Sequence, residues 1–294
     1  MRQLKDAIAR RSMLLMTGLP AFFVLLMLAG LFGRSRPILA VRPFTALLFG
    51  SGWHPLKGEF GFLPFLAGTL GVTLTAMVIA VPVSLLTAIY LSEYAPRIVR
   101  DVTQPVVDLL AGIPSVIYGV WGVLMVVPFV GNVVAPFFGA YSSGYCVLSG
   151  GIVLAIMVFP TIIHVSLEVF GAVPQDLRDT SLALGATRWE TVKHVVLRRG
   201  LPGIIAAVVL GVSRAFGETI AVLMVVGNVA QVPRSPFDAA YPLPALIANN
   251  YGEMMSVPLY DAALMLAALI LMFVVLLFSI GARIILVRAE RKAE

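Results

Sequence analysis

Long uncharged runs alternate with short basic segments along the chain, and each run is of a length that crosses a bilayer as a helix. The first is Met13–Gly33, and the second lies within Phe60–Ser92, centred on Leu66–Leu91. Between Leu109 and Leu167 there is no Asp, Glu, Lys or Arg. That stretch is too long for one helix, so it is split into Ile113–Val130 and Val147–Val165 around the turn-rich segment Gly131–Gly144. Leu201–Asn228 forms the fifth run and Ala262–Val287 the sixth. The pattern predicts an all-α membrane protein with six transmembrane helices.

Composition agrees: 60% of the 294 residues are hydrophobic and 12% are charged, about half the charge of a soluble domain. The +6 net charge does not point to nucleic acid, because the cations follow the spans instead of clustering on one polar face. With the N-terminus inside, 15 Lys and Arg fall on inner segments and 5 on outer ones, which puts both termini in the cytoplasm. Arg34, Arg36 and Arg42 are the main exceptions. The basic N-terminus resembles a signal peptide, but Ser12–Gly33 is long for an h-region and no A-x-A site follows, so it is expected to remain as the first helix. One cysteine, Cys146, excludes an internal disulfide. The isolated His54, His164 and His194 suggest no metal site. Trp53, Trp121 and Trp189 suit the membrane interface.

Arg214 and Glu218 are the only charges in the fifth run. On a continuous helix Arg214 lies about 20 Å from either end of that run, where a cation costs about 2.5–3.5 kcal/mol on the lenient insertion scale. The i, i+4 spacing would place Glu218 on the same face. Gly203, Ala207, Gly211 and Ala221 extend that face with small residues, which let helices approach closely in lipid. A charged pair kept there serves either a charged cargo or a lock between helices. In the second span, Gly68, Thr69, Gly71, Thr73 and Thr75 form a polar stripe that suits packing more than a path. Pro82 interrupts this span, and Pro114 starts the third.

The inner segment Glu168–Gly200 predicts a helical hairpin. Asp176 or Asp179 caps a helix that runs through Leu184, Gly185 ends it, and Thr187 with Glu190 forms a capping box for the next helix. Such a hairpin is either a surface connector or a dock for a cytoplasmic partner.

Asp179-Thr180-Ser181, then Gly185, then Val195-Val196-Leu197-Arg198, resembles the Glu-Ala-Ala loop of ABC-transporter permeases of the binding-protein-dependent importers, with Arg198 in place of the usual Pro. Leu85–Ala95 (LLTAIYLSEYA), Leu110–Gly122 (LAGIPSVIYGVWG) and Ser213–Asn228 (SRAFGETIAVLMVVGN) together resemble the phosphate importer permeases. Their wording is closer to the PstC-type subunit than to the PstA-type, and the likeness runs from about Gly61 to Leu286. It implies a type I (MetI-like) importer permease fold over 61–288. Residues 1–60 would then hold an added helix and outer loop, and 289–294 a cytoplasmic tail.

The resemblance further implies that Arg214, Glu218 and Thr219 line the substrate path. Asp179, Ser181, Ala183, Leu184, Gly185, Ala186, Arg188 and Trp189 would couple to an ATPase. Implied partners are a homologous PstA-type permease, a cytoplasmic ABC ATPase dimer and an extracytoplasmic phosphate-binding protein, in a bacterial or archaeal cytoplasmic membrane. The chain has no phosphate-binding G-x-x-x-x-G-K-[ST] loop, so ATP and Mg would be used by the partner ATPase and no cofactor bound here. A permease for sulfate or molybdate, an ion-coupled secondary carrier, and an intramembrane enzyme using Glu218 remain as other readings.

Overall fold

The computed structural model describes residues 2–253 and 256–293, with side chains described for 9–253 and 256–288. The expected tail at 289–294 therefore lies outside the described side chains. In chain order the elements are α1 (Arg2–Val41), α2 (Phe44–Phe49), β1 (Trp53–His54), β2 (Glu59–Phe60) and α3 (Leu63–Ile89), which ends in a π turn at Tyr90–Tyr94. There follow α4 (Arg97–Gly112), α5 (Ser115–Phe137), α6 (Val147–Gly171), α7 (Gln175–Ala183) and α8 (Arg188–Gly217). Last come α9 (Ile220–Val225), α10 (Leu243–Asn250) and α11 (Tyr260–Ala293). Among the described residues six helices are long and apolar enough to cross a membrane: α1, α3 with its π turn, α5, α6, α8 and α11.

The chain forms two compact units, one of Met1–Phe62 with Asn250–Met272 and one of Leu63–Asn249 with Phe273–Glu294. In the first, β1 and β2 pair antiparallel, with Trp53 opposite Phe60 and His54 opposite Glu59. Trp53, Phe60, Phe62 and Tyr260 cluster there as packed rings.

In the second unit α6 is the central helix, with α3 and α8 against it. Val72, Ala76, Leu154, Val158, Ile162, Ala207 and Ala215 form the shared core. The small-residue face expected on the fifth span is the face that meets α6. A Cβ built on Gly211 comes 2.9 Å from Ile162 Cδ1 and 3.0 Å from Val158 Cγ1, and one on Gly203 runs into Val169. The polar stripe of the second span also packs. Thr69 and Thr73 are buried, and Thr69 Oγ1 donates to Phe65 O and accepts from Leu243 N. α6 needs partners for its first free N–H groups, and the segment between α9 and α10 supplies them: Val147 N donates to Asp238 O and Leu148 N to Pro236 O.

Several boundaries differ from the hydropathy reading. α1 continues to Val41, so Arg34 and Arg36 are helical instead of lying in a loop. α3 runs through Pro82 without a break. α5 extends to Phe137 through part of the segment read as a turn. It does so by inserting π turns at Gly122–Val126 and Val130–Val134, each just before a proline (Pro128 and Pro136) whose missing N–H the shifted hydrogen-bond register accommodates. α4 was not expected, because its Asp and Arg residues masked an amphipathic pattern whose apolar side (Ile98, Val102, Val106, Leu109) is exposed. Cys146 does start the fourth span but is fully buried, so a thiol reagent applied from outside cannot report its side of the membrane.

The hairpin forms with one correction. α7 is preceded by Pro174, and Asp176 and Asp179 sit inside it and do not cap it. Pro174, its φ held at −56° by the ring and its ψ extended at 137°, leads into the helix without a side-chain cap. At the other end Gly185 takes φ +88°. Gly185 N donates to Leu182 O at 2.9 Å and Ala186 N to Ser181 O at 3.2 Å, the paired bonds of a Schellman motif. The capping box forms as expected: Glu190 N donates to Thr187 Oγ1, and Thr187 N to Glu190 Oε2.

Two stability outcomes follow from this packing. Gly203→Val or Gly211→Val overfills the α6–α8 contact and should destabilise the detergent-purified protein by about 1–3 kcal/mol. Gly30→Ala lies inside α1 where a Cβ meets nothing within 4 Å and a helix favours Ala over Gly, so it should not lower the melting temperature, and a comparable loss there would refute the close approach. At Gly185 a Cβ also has open space, so the strain is in the backbone alone. Gly185→Val should cost about 1–2 kcal/mol while Gly185→Asn costs less, because Asn visits the left-handed region more readily.

Candidate functional site

The fifth span does not run on as one helix through its two charges. α8 stops at Gly217, Glu218 is extended (ψ 126°), and α9 starts at Ile220. The expected i, i+4 pairing of Arg214 with Glu218 is therefore corrected, since no helix turn joins them and no ion pair links them among the described residues. Each charge instead meets the helix end of opposite sign. Arg214 lies in the last turn of α8, where the dipole is negative. Glu218 precedes α9, and its Oε1 accepts from Ala221 N at 3.3 Å. Placement at the matching helix end is worth about 0.3–1 kcal/mol per charge when exposed and up to about 2 kcal/mol when partly buried.

Arg214 Nη1 also donates to Thr161 Oγ1 on α6 at 2.8 Å. Its side chain is otherwise exposed, Glu218 and Thr219 are half-buried, and Thr219 Oγ1 donates to Gly217 O. One helix turn along α6 from Thr161, His164 Nε2 lies 3.0 Å from Asp108 Oδ1 on α4. Tyr118 of α5 donates its hydroxyl to Leu110 O at 2.7 Å. The break thus leaves Arg214 exposed, with Thr161 its one side-chain hydrogen-bond partner among the described residues. An exposed guanidinium there is suited to a multi-oxygen anion.

Sequence reasoning placed Arg214, Glu218 and Thr219 together but missed Thr161, Asp108 and Tyr118, and it read His164 as isolated. Only Gly217, beside Glu218 and Thr219, signalled a helix end. The three-residue step from Thr161 to His164 was a visible sign that both share a face.

The hairpin residues named from the resemblance lie together at the opposite end of α8. Asp179, Ala183, Leu184, Gly185, Arg188 and Trp189 are exposed, and Ser181 and Ala186 are half-buried. Ser181 Oγ and Thr191 Oγ1, 2.9 Å apart, tie α7 to the start of α8. Leu184 is 84% exposed and Trp189 51%, which leaves an apolar tip with nothing of this chain over it.

Residues 80–292 match the family described as binding-protein-dependent transport system inner membrane component. A probable ABC transporter permease protein of Bacillus subtilis (strain 168), YqgH, is 39% identical over 238 residues, covering 79% of this chain and 75% of its own length. The phosphate transport system permease protein PstC of Xylella fastidiosa (strain 9a5c) is 37% identical over 262 residues, covering 84% of this chain and 80% of its own. Among solved structures, the MetNI methionine ABC transporter in an inward-facing conformation superposes with a TM-score of 0.60 at 18% identity. That match covers 81% of this chain and 99% of the other and bears out the type I importer permease fold. A family match over most of the length, with relatives above 30% identity across most of both chains, leaves one assignment: the chain belongs to the inner-membrane components of binding-protein-dependent transport systems.

Proposed function

We propose that this chain is the PstC-type half of the translocation path of an ATP-driven inorganic phosphate importer, in a bacterial or archaeal cytoplasmic membrane. The observation that carries the reading is Arg214, an exposed guanidinium at a break in a membrane span. Helix breaks at membrane depth are tolerated only where protein or a water-filled path covers them. The relatives named for phosphate transport supply the cargo. The other half of the path would come from a homologous PstA-type permease. A separate ABC ATPase dimer would dock on the hairpin 168–200 through Leu184, Trp189 and the polar residues around Gly185, and use ATP and Mg. An extracytoplasmic phosphate-binding protein would deliver the anion to the opposite face. Both termini would lie in the cytoplasm.

Glu218 would set the choice among oxyanions. Its carboxylate repels any anion but accepts a hydrogen bond from a protonated oxygen, which phosphate retains at neutral pH and sulfate lacks. Its second role, capping α9, needs only an acceptor oxygen, and Gln keeps one.

Arg214→Ala should reduce phosphate uptake into membrane vesicles by roughly tenfold to a hundredfold, the worth of about 1.5–3 kcal/mol for hydrogen bonds to a charged group. Arg214→Lys should recover part of that loss, and Glu218→Gln should narrow the preference for labelled phosphate over labelled sulfate. Normal uptake by Arg214→Ala would show that the guanidinium serves packing alone. For topology, in a Cys146→Ala background, Tyr141→Cys should react with an impermeant thiol reagent from outside and Leu184→Cys only from the cytoplasmic side. Both positions are largely exposed, and the opposite labelling would invert the orientation.

A further inference from the structure

The hairpin helix α7 buries none of its side chains. Its apolar side chains Leu177 and Leu182 are only partly covered, so polar links take a large share of its attachment to the membrane helices. One side chain supplies most of them. Arg178 Nη1 donates to Val173 O at 2.6 Å, and Nη2 donates to Phe170 O at 2.7 Å and to Glu93 Oε1 at 3.0 Å. The two charged side chains are only 12% and 10% exposed. One guanidinium therefore joins α7, the C-terminal carbonyls around the end of α6, and the π turn that ends α3.

That π turn is held from other sides as well. Arg100 of α4 donates to Leu91 O and Ser92 O, and the Arg188 guanidinium lies 5.0 Å from the centre of the Tyr94 ring. A cavity of about 580 Å³ sits among Glu93, Arg100, Gln175, Arg178 and Arg188, so the segment is gripped by polar side chains around open space. Just above it, Ala88, Ile89, Phe170, Val192, Val196 and Ile204 form an apolar cluster joining α3, α6 and α8.

We propose that Glu93 and Arg178 are positioning residues for transport: their largely buried ion pair passes movement of the hairpin to the foot of α3. The inference rests on the hairpin being the ATPase dock. Arg is needed at 178 because a planar fork reaches two carbonyls and a carboxylate at once, which an ammonium cannot do with the same geometry. Glu is needed at 93 because, without it, the guanidinium keeps only acceptors on the α6 side. The hairpin would then stay attached to α6 and lose its hold on α3.

The test uses the complete transporter reconstituted in proteoliposomes, with ATP hydrolysis and phosphate uptake measured together. Glu93→Gln retains an acceptor oxygen and should assemble. Phosphate moved per ATP should fall about tenfold, within the range for residues that carry coupling between sites. Glu93→Asp, which keeps the charge, should retain more coupling than Glu93→Gln. In a Cys146→Ala background, Glu93→Cys with Arg178→Cys should be uncoupled until a short bis-methanethiosulfonate reagent bridges the two thiols, and the bridge should restore uptake. An unchanged ratio in Glu93→Gln would overturn the inference, as would a parallel fall of hydrolysis and uptake that bridging does not reverse. A parent complex that hydrolyses ATP but moves no phosphate would instead refute the cargo. The link is then judged by whether the binding protein stimulates hydrolysis in the parent and loses that effect in Glu93→Gln.

Discussion

Hydrocarbon offers a backbone no hydrogen-bond partners, so a break in a membrane helix must satisfy its own polar groups or be covered. The interruption after Gly217 meets this condition largely from within. Glu218 N donates to Ala215 O, Ala221 N to the Glu218 carboxylate, and Leu223 N to Thr219 O. The two charges complete it, since a cation ends one helix and an anion begins the next, each at the pole that stabilises it. Pairing the charges to each other would neutralise both. Separating them across the break leaves the guanidinium with donors to spare.

This arrangement stands on α6, which is tied at both ends and in the middle. Its first N–H groups are taken by carbonyls of Pro236 and Asp238, and carbonyls at its far end are taken by Arg178. Between them Thr161 receives Arg214, and His164 meets Asp108. Gly203 and Gly211 of α8 lie directly against Val169, Val158 and Ile162 of this post, where a Cβ would meet those side chains. In lipid, where there is no hydrophobic drive between helices, such close contact is what fixes their relative position.

Hydropathy made the six spans legible because their signal is summed over many residues. The hairpin was legible because Gly185 and the Thr187–Glu190 box are local chemistry confined to a few neighbours. What failed depended on partners far away in sequence. The Arg214–Glu218 pairing assumed a continuous helix, and only Gly217 hinted otherwise. Thr161 lies 53 residues from the arginine it binds, and Glu93 lies 85 residues from Arg178; neither spacing has a period to read. α4 was hidden because its charges broke an apolar run without breaking the helix, and Asp176 and Asp179 misled because Pro174 already fixed where α7 starts.

The same helix serves both ends of the molecule. α8 begins inside the hairpin at Arg188 and ends at the break after Arg214, 30 residues in all, which is a rod of about 45 Å. Its first turns are anchored in the apolar cluster with α3 and α6, and its small-residue face lies along α6. Val158 and Ile162 of α6 stand over Gly211 and Val169 over Gly203, so α8 is seated on α6 through hollows left by its small residues. Small shear of packed helices is a recurring way to amplify a local push. On the proposed function, a push at the hairpin reaches α3 by way of Glu93 and reaches Arg214 through α8 itself. The guanidinium would then move relative to Thr161, its side-chain partner on the fixed post. That hydrogen bond joins α8 to α6 beside the exposed guanidinium, so on the proposed function its making and breaking would be the step at which displacement of the hairpin becomes a change in how the path holds an anion.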